Sequence, residues 1–208
     1  MVGETQFRET ITKSLSPLSP AKLSNSTYEL EFRLGTFVEG NFQSNQTLLQ
    51  FNQVIRYLQN MVTNPAGLSL SEKVSLDINI DDGSVGGKRT RLTINGSQYI
   101  RQYCQDLNFD HIDTNDPDII QILQKTTVET INIDTYNLRF QISEEIAMTD
   151  LTEKNKSIND ILVSVKRKHF RYKYRYSFYE PQTHGRYDLT LVKSANGLDF
   201  KSAKVLQQ

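Results

Sequence analysis

Four segments of this chain alternate so strictly that like side chains fall two residues apart. In FRYKYRYSF, residues 170–178, Arg171, Lys173 and Arg175 share one side of an extended strand, opposite Phe170, Tyr172, Tyr174, Tyr176 and Phe178. In RYDLTLVKS, residues 186–194, Arg186, Asp188 and Thr190 lie together, opposite Tyr187, Leu189 and Leu191. In YNLRFQISEE, Arg139, Gln141, Ser143 and Glu145 oppose Leu138, Phe140 and Ile142. YELEFRLG carries the opposite sign: Glu29 and Glu31 project away from Tyr28, Leu30, Phe32 and Leu34.

A half-buried antiparallel sheet ordinarily turns such polar faces to water. Three cations with no acid between them repel one another, and a solvated sheet gains nothing by grouping them. A polyanion reverses that balance, because converging Lys and Arg neutralise phosphate oxygens and Arg binds them in bidentate fashion. Glu29 and Glu31 repel each other as well unless a cation lies against them. Mg²⁺, which is held by one or two carboxylates plus substrate phosphates, suits that pair. The ligand these faces imply is a metal-bound chain of phosphates.

The elements that must position these faces are mostly strands. KVSLDINI and KRTRLTI alternate and are expected to be strands, as are DIIQILQKTTVETINI and DILVSVKRKHF. Residues 45–62 change to helical spacing, with Leu48, Phe51, Ile55, Leu58 and Val62 in one stripe and Ser44 or Asn45 as the expected N-cap. SQYIRQYCQDL reads as a short helix, and DLNFDHIDTNDPD as an acidic surface loop. Residues 1–27 read as an N-terminal extension and Ser/Pro-rich linker, and residues 28–208 as the folded domain. Seven or more antiparallel strands with two or three short helices are expected. An antiparallel β-barrel lined with charge reconciles so many charged strand faces with a hydrophobic content of only 37%. Shared parity then predicts that Glu29, Glu31, Arg139, Glu145, Lys173, Arg175, Arg186 and Asp188 face one cavity.

Composition excludes several alternatives. Lys+Arg 24 against Asp+Glu 24 leaves no net charge, so basic binding surfaces must arise by local segregation. The single cysteine, Cys104, rules out an internal disulfide and a cysteine-based zinc site. No apolar run approaches the roughly 18 residues of a membrane span. GSVGGK lacks the spacing of a P-loop, and His111, His169 and His184 show no metal-ligand spacing. Lys166, Arg167 and Lys168 form a basic run suited to RNA phosphates or to plain solvation.

The alternating segments also resemble a known family. YELEFRLG resembles the first-strand Glu-x-Glu motif of the triphosphate tunnel metalloenzymes, and more narrowly of the metal-dependent RNA 5′-triphosphatases that begin mRNA capping in fungi, protozoa and large DNA viruses. FRYKYRYSF resembles their Arg-x-Lys-x-Arg strand and RYDLTLVKS their Arg-x-Asp-x-Thr strand, in the family's order. LRFQISEE resembles the strand that supplies a basic residue and, six positions later, a glutamate, which maps to Arg139 and Glu145. Arg91 in TRLTI and Lys125 in LQKTTVE correspond to the basic residues of two earlier strands.

The resemblance spans about residues 28–194. It implies a mainly β tunnel fold and hydrolysis of the γ-phosphate of 5′-triphosphate RNA. Glu29 and Glu31 would hold Mg²⁺ or Mn²⁺. Arg91, Lys125, Arg139, Lys173, Arg175 and Arg186 would grip phosphate oxygens, with Arg171 in the same strand motif. Glu145 would orient water, while Asp188 and Thr190 would support basic neighbours. The implied partners are the RNA 5′ end, nucleoside triphosphates and a guanylyltransferase in cis or in trans, with no membrane. The implied location is intracellular, nuclear for a cellular protein and host cytoplasm or virion for a viral one. Two alternatives stand beside this: a tunnel enzyme acting on tripolyphosphate or thiamine triphosphate, and a non-catalytic RNA-binding module. The family's late Glu-x-Glu strand has no counterpart before Gln208, so the sequence reads as a truncated piece.

Overall fold

The computed structural model describes residues 2–15, 27–44, 46–62, 67–80, 89–148, 158–165 and 168–197. The GSVGGK connection, residues 16–26 of the linker, and Lys166 and Arg167 of the basic run lie outside them. The chain divides into two compact units, Met1–Asn45 with Lys125–Ile146, and Gln46–Gln124 with Ala147–Gln208.

The first unit holds helix α1 (Val2–Leu15) and strands β1 (Tyr28–Leu34), β2 (Thr36–Val38), β3 (Asn41–Gln43) and β7 (Leu138–Ala147). It also takes the larger part of β6 (Ile120–Ile133). Strand order is β1-β7-β6. β1 pairs antiparallel with β7, setting Glu29 opposite Ser143, Glu31 opposite Gln141 and Arg33 opposite Arg139. Residues directly opposite share a face, so these six polar side chains form one surface. On the reverse side Phe140 and Ile142 are buried with Tyr28 and Ile131 against them, and the Phe32 ring lies 4.6 Å from that of Phe140.

β2 and β3 close through Glu39 and Gly40, both at positive φ (50° and 75°), the backbone a two-residue hairpin requires. Gly35 joins β1 to β2 for a different reason. A Cβ there would collide with the carbonyl oxygen of Gln43 and lie 2.5 Å from the Phe42 ring. The same ring sits 4.5 Å beneath the Arg139 guanidinium, so the close approach at Gly35 helps place a charged side chain.

The second unit is built on β4 (Ser69–Ile80), β5 (Arg89–Asn95), β8 (Lys168–Glu180) and β9 (Gly185–Gly197), in the order β6-β5-β4-β8-β9. β4 pairs antiparallel with β5 and with β8, and β8 with β9. The apolar face carries Leu76, Ile78, Leu92, Ile94 and Phe170, packed under helix α3 (Ser97–Asp106) through Ile100 and Tyr103. Farther along, Phe178 and Leu68 lie under helix α2 (Leu48–Val62) through Ile55 and Leu58. Each such side chain contributes roughly 1.5–3 kcal/mol on full burial. That burial fixes which way the opposite, charged face must point.

Two local expectations are corrected. The N-cap of α2 is Thr47 and not Ser44 or Asn45. Its hydroxyl accepts from the Gln50 amide at 3.2 Å while Gln50 Oε1 accepts from the Thr47 amide at 3.0 Å, a reciprocal capping box that needs a Gln or Glu three residues on. The stretch expected as a strand from Asp160 begins instead as helix α4 (Ile158–Ser164), and extended structure starts at Lys168. Ile158, Leu162 and Val165 recur at helical spacing and all pack on the main core, which outweighs their strand preference. Asn159 adds a tie, accepting from the Phe109 amide at 3.0 Å and donating to Asp110 at 2.8 Å. Among the described residues no helix is long and apolar enough to cross a membrane.

Replacing Gly35 by Ala is expected to destabilise the protein by about 1–3 kcal/mol, the usual cost of overpacking. A lowered urea midpoint at unchanged slope checks it; an unaltered midpoint would show that the β2–β3 hairpin yields freely.

Candidate active site

In the first unit the charged face is organised around Lys125. Its ammonium pairs with Glu29 and, at 2.9 Å, with Glu145. Partial burial by itself would lower the Lys125 pKa, but the hydrogen bonds it donates to Glu29 and Glu145 outweigh it and the pKa is raised. Glu31 accepts from Arg33 at 2.6 Å, which raises the guanidinium pKa further. Each of the two carboxylates in Glu-x-Glu therefore meets a cation, Glu29 sharing Lys125 with Glu145. Arg139 donates through Nε to Asn132 at 2.9 Å while stacking over Phe42. Gln141 links Thr127 at 3.2 Å and Ser143 at 3.1 Å across the same surface.

In the second unit the register brings the cations of three strands together. Lys73 stands opposite Arg175, Ser75 opposite Lys173 and Asp77 opposite Arg171 on β8. Asp77 also faces Thr93 on β5, and Asn79 faces Arg91. Lys173, Arg175, Arg91 and Lys73 line a cavity of about 80 Å³ together with Thr93 and Asn95. Asp77, 0% exposed, receives Lys173 Nζ at 2.6 Å on one oxygen and the Thr93 hydroxyl at 3.0 Å on the other.

At the neighbouring strand, Asp188 takes Arg175 at 3.5 Å, Arg186 at 3.1 Å and the Ser177 hydroxyl at 2.7 Å. Arg175 Nε donates to Thr190 at 3.4 Å. Arg171 lies beside His169 and, after burial, is the second cause that lowers the histidine pKa.

Burial lowers Lys173 from 10.5 to about 8. Asp77 opposes that shift, and the nearby Arg175 and Arg91 add to it. An ammonium held in this state gains on meeting an anion, because the anion restores what desolvation removed. The surface is thus electropositive, partly dry and narrow.

The two units gather the candidates into distinct sets: Glu29, Glu31, Lys125, Arg139 and Glu145 in the first, and Arg91, Arg171, Lys173, Arg175, Arg186, Asp188 and Thr190 in the second. Reading the sequence missed Asp77, Lys73, Thr93 and Asn95. The signal was present, since KVSLDINI puts Lys73, Ser75 and Asp77 on one side. Nothing in that alternation tells a cavity face from a wet one.

Comparison with known proteins supports the fold. No family model matches the chain, and no curated protein sequence matches it either. Solved structures do. The Mimivirus capping enzyme triphosphatase matches 97% of this chain and 84% of its own, at 20% identity and a TM-score of 0.59. The RNA triphosphatase domain of the trifunctional Mimivirus mRNA capping enzyme matches 90% of this chain and 77% of its own, at 22% identity and a TM-score of 0.59. The S. pombe Pct1 RNA triphosphatase, solved with the Spt5 CTD, matches 89% of this chain and 72% of its own, at 14% identity and a TM-score of 0.55. The mainly antiparallel β class with a few short helices is therefore the fold of the capping RNA triphosphatases.

Lys173 generates a pH signature. It is cationic below about 8 and neutral above, so sulfate affinity is expected to fall as pH rises through about 8. Lys173→Arg should remove that fall, since guanidinium does not titrate there. The same group acts on stability in the opposite sense. From about 8 up to 10.5 the unfolded chain holds the proton that the folded chain has released, so this contribution to stability rises with pH. Calorimetric titration with sulfate beside thermal melts over that range checks both signs; a parallel fall in both would contradict the assignment.

Proposed function

We propose that this chain is an RNA 5′-triphosphatase that hydrolyses the bond between the β- and γ-phosphates of 5′-triphosphate RNA and leaves a 5′-diphosphate end, the first step of cap formation. The observation that carries this reading is the convergence of Lys73, Arg91, Lys173 and Arg175 on one narrow cavity, in a chain with the fold of capping RNA triphosphatases. Phosphoryl transfer to water passes through a loose transition state, so the protein mainly positions groups and neutralises charge. An array of fixed cations does that.

A divalent cation fits the donor set of Glu29 and Glu31. Their hard oxygens lie two residues apart on one strand face, and the structure neutralises each with a side-chain cation. Among the described residues no third His, Cys, Asp or Glu joins them in a metal-binding group. An ion held by two carboxylates takes its other positions from phosphate and water, as Mg²⁺ and Mn²⁺ do. When bound, the ion supplies Lewis-acid polarisation of the phosphoryl oxygens.

The remaining roles belong to side chains. Lys173, Arg175, Arg91, Arg171 and Arg186 neutralise oxygens of the transferred group, and Lys125 and Arg139 serve the first unit in the same way. Glu145 holds the attacking water by accepting its hydrogen bond, with its carboxylate placed by Lys125. Asp188 and Thr190 fix the guanidinium of Arg175. Water oxygen bonds to the γ-phosphorus, the bridging P–O bond breaks, and β-phosphate leaves. Nucleoside triphosphates present the same group and are minor substrates. A guanylyltransferase, in cis or in trans, consumes the diphosphate end, and the setting is intracellular.

The test is γ-phosphate release from 5′-triphosphate RNA with Mg²⁺ and Mn²⁺. Glu31→Ala and Arg175→Ala are each expected to lower turnover by about a hundredfold or more while leaving the thermal midpoint nearly unchanged, because side chains that meet charge add little packing. Chelation with EDTA should abolish release. Failure to release phosphate with any divalent ion would leave a non-catalytic RNA-binding module. Faster turnover of tripolyphosphate or thiamine triphosphate would move the chain to another branch of the tunnel enzymes.

A further inference from the structure

The side chain of Asn95 is out of keeping with its surroundings. It ends β5, is 5% exposed and lines the cavity of the second unit beside Lys173 and Thr93. Neither its Nδ2 nor its Oδ1 has a hydrogen-bond partner among the described residues. Its backbone is satisfied, the amide donating to the Ile119 carbonyl at 2.8 Å, so only the side chain is at issue. A buried amide left this way is costly, and native proteins keep few of them. Either orientation of the group presents one donor and one acceptor to the cavity. Its ligand must therefore both accept and donate.

The cavity limits what that ligand is. A cavity of about 80 Å³ has room for one tetrahedral oxyanion. Lys73, Arg91, Lys173 and Arg175, with no acid beside them among the described lining residues, favour an anion there. An anion with a hydroxyl satisfies the cations and the amide together. Near neutral pH inorganic phosphate retains at least one P–OH, whereas sulfate has none.

We propose that this cavity is an orthophosphate site in which Asn95 accepts a hydrogen bond from the P–OH group and donates one to a phosphate oxygen, so that it selects phosphate over sulfate. The inference rests on the hydrolase reading and deepens it. When water attacks the γ-phosphorus, its oxygen stays on phosphorus with one proton, and the second proton leaves with the β-phosphate or to solvent. The oxygen that water brings to phosphorus takes the place of the bridging anhydride oxygen, and Asn95 is placed to meet it as a P–OH. Asn95 is thus a specificity residue for the released product.

The experiment is calorimetric titration of the full chain with sodium phosphate and sodium sulfate at pH 7 and matched ionic strength. Wild type is expected to bind phosphate at least about tenfold more tightly than sulfate, the effect of one hydrogen bond to a charged ligand. Asn95→Ala should lose that preference by weakening phosphate alone, with sulfate affinity unchanged and a thermal midpoint equal or higher, since an unpartnered buried amide has been removed. Asn95→Ser keeps a donor and an acceptor and should retain part of the preference, which settles the matter where the alanine variant does not fold. Equal binding of the two anions by wild type, or an unaltered preference in Asn95→Ala, would overturn the role of Asn95. The anion site itself would still stand if Lys173→Met lost both ligands. Binding of neither anion by wild type would overturn the site and this inference together.

Discussion

The pair formed by Lys173 and Asp77 is the constraint on which the second unit depends. Taking a lysine and an aspartate out of water costs several kcal/mol per ion, repaid only with good geometry and satisfied oxygens. Here the contact is 2.6 Å and the second carboxylate oxygen takes the Thr93 hydroxyl, so one acid is held by β5, β4 and β8 at once. A shift of one residue in either pairing would turn Asp77 or Lys173 into the packed face of Ile78 and Phe170. The polar contact and the apolar core therefore specify the same register.

That register divides labour between the two faces of one sheet. The apolar side takes up α2 and α3, so stability comes from Leu76, Ile78, Leu92, Ile94, Phe170 and Phe178. The polar side is left for chemistry. Its cations line one cavity, and burial lowers Lys173 to about 8. A sheet that tolerates this repulsion is poised for a ligand that relieves it. In the first unit Lys125 lies between Glu29 and Glu145, and Arg33 beside Glu31. In the second Asp77 meets Lys173 and Asp188 meets Arg175 and Arg186, but no acid is among the described residues that line the cavity. One surface calls for an anion, and the other is a set of carboxylates kept in place by cations.

Much of this was legible in the alternation of single strands. Period two in FRYKYRYSF and YELEFRLG assigns Arg171, Lys173 and Arg175 to one side and Glu29 and Glu31 to another, because successive side chains on a strand must point in opposite directions. The helix over residues 48–62 was equally legible from its stripe. The stretch around Ile161 was not. Its β-branched residues favour a strand in isolation, and only a core able to accept Ile158, Leu162 and Val165 on one side makes the helix the better choice.

The sequence by itself determined which side chains share a face, and so the mainly β class. Parity along one strand is a local property, set by backbone geometry. Only the tertiary structure decided which faces meet: that Asp77 buries against Lys173, that Lys125 bridges Glu29 and Glu145, and that Asn95 ends in a cavity with no side-chain partner among the described residues. Those are pairings between segments as far apart as Glu29 and Lys125 or Asp77 and Lys173. The choice among many possible registers is made by summing burial over whole strands, a quantity that no single segment contains.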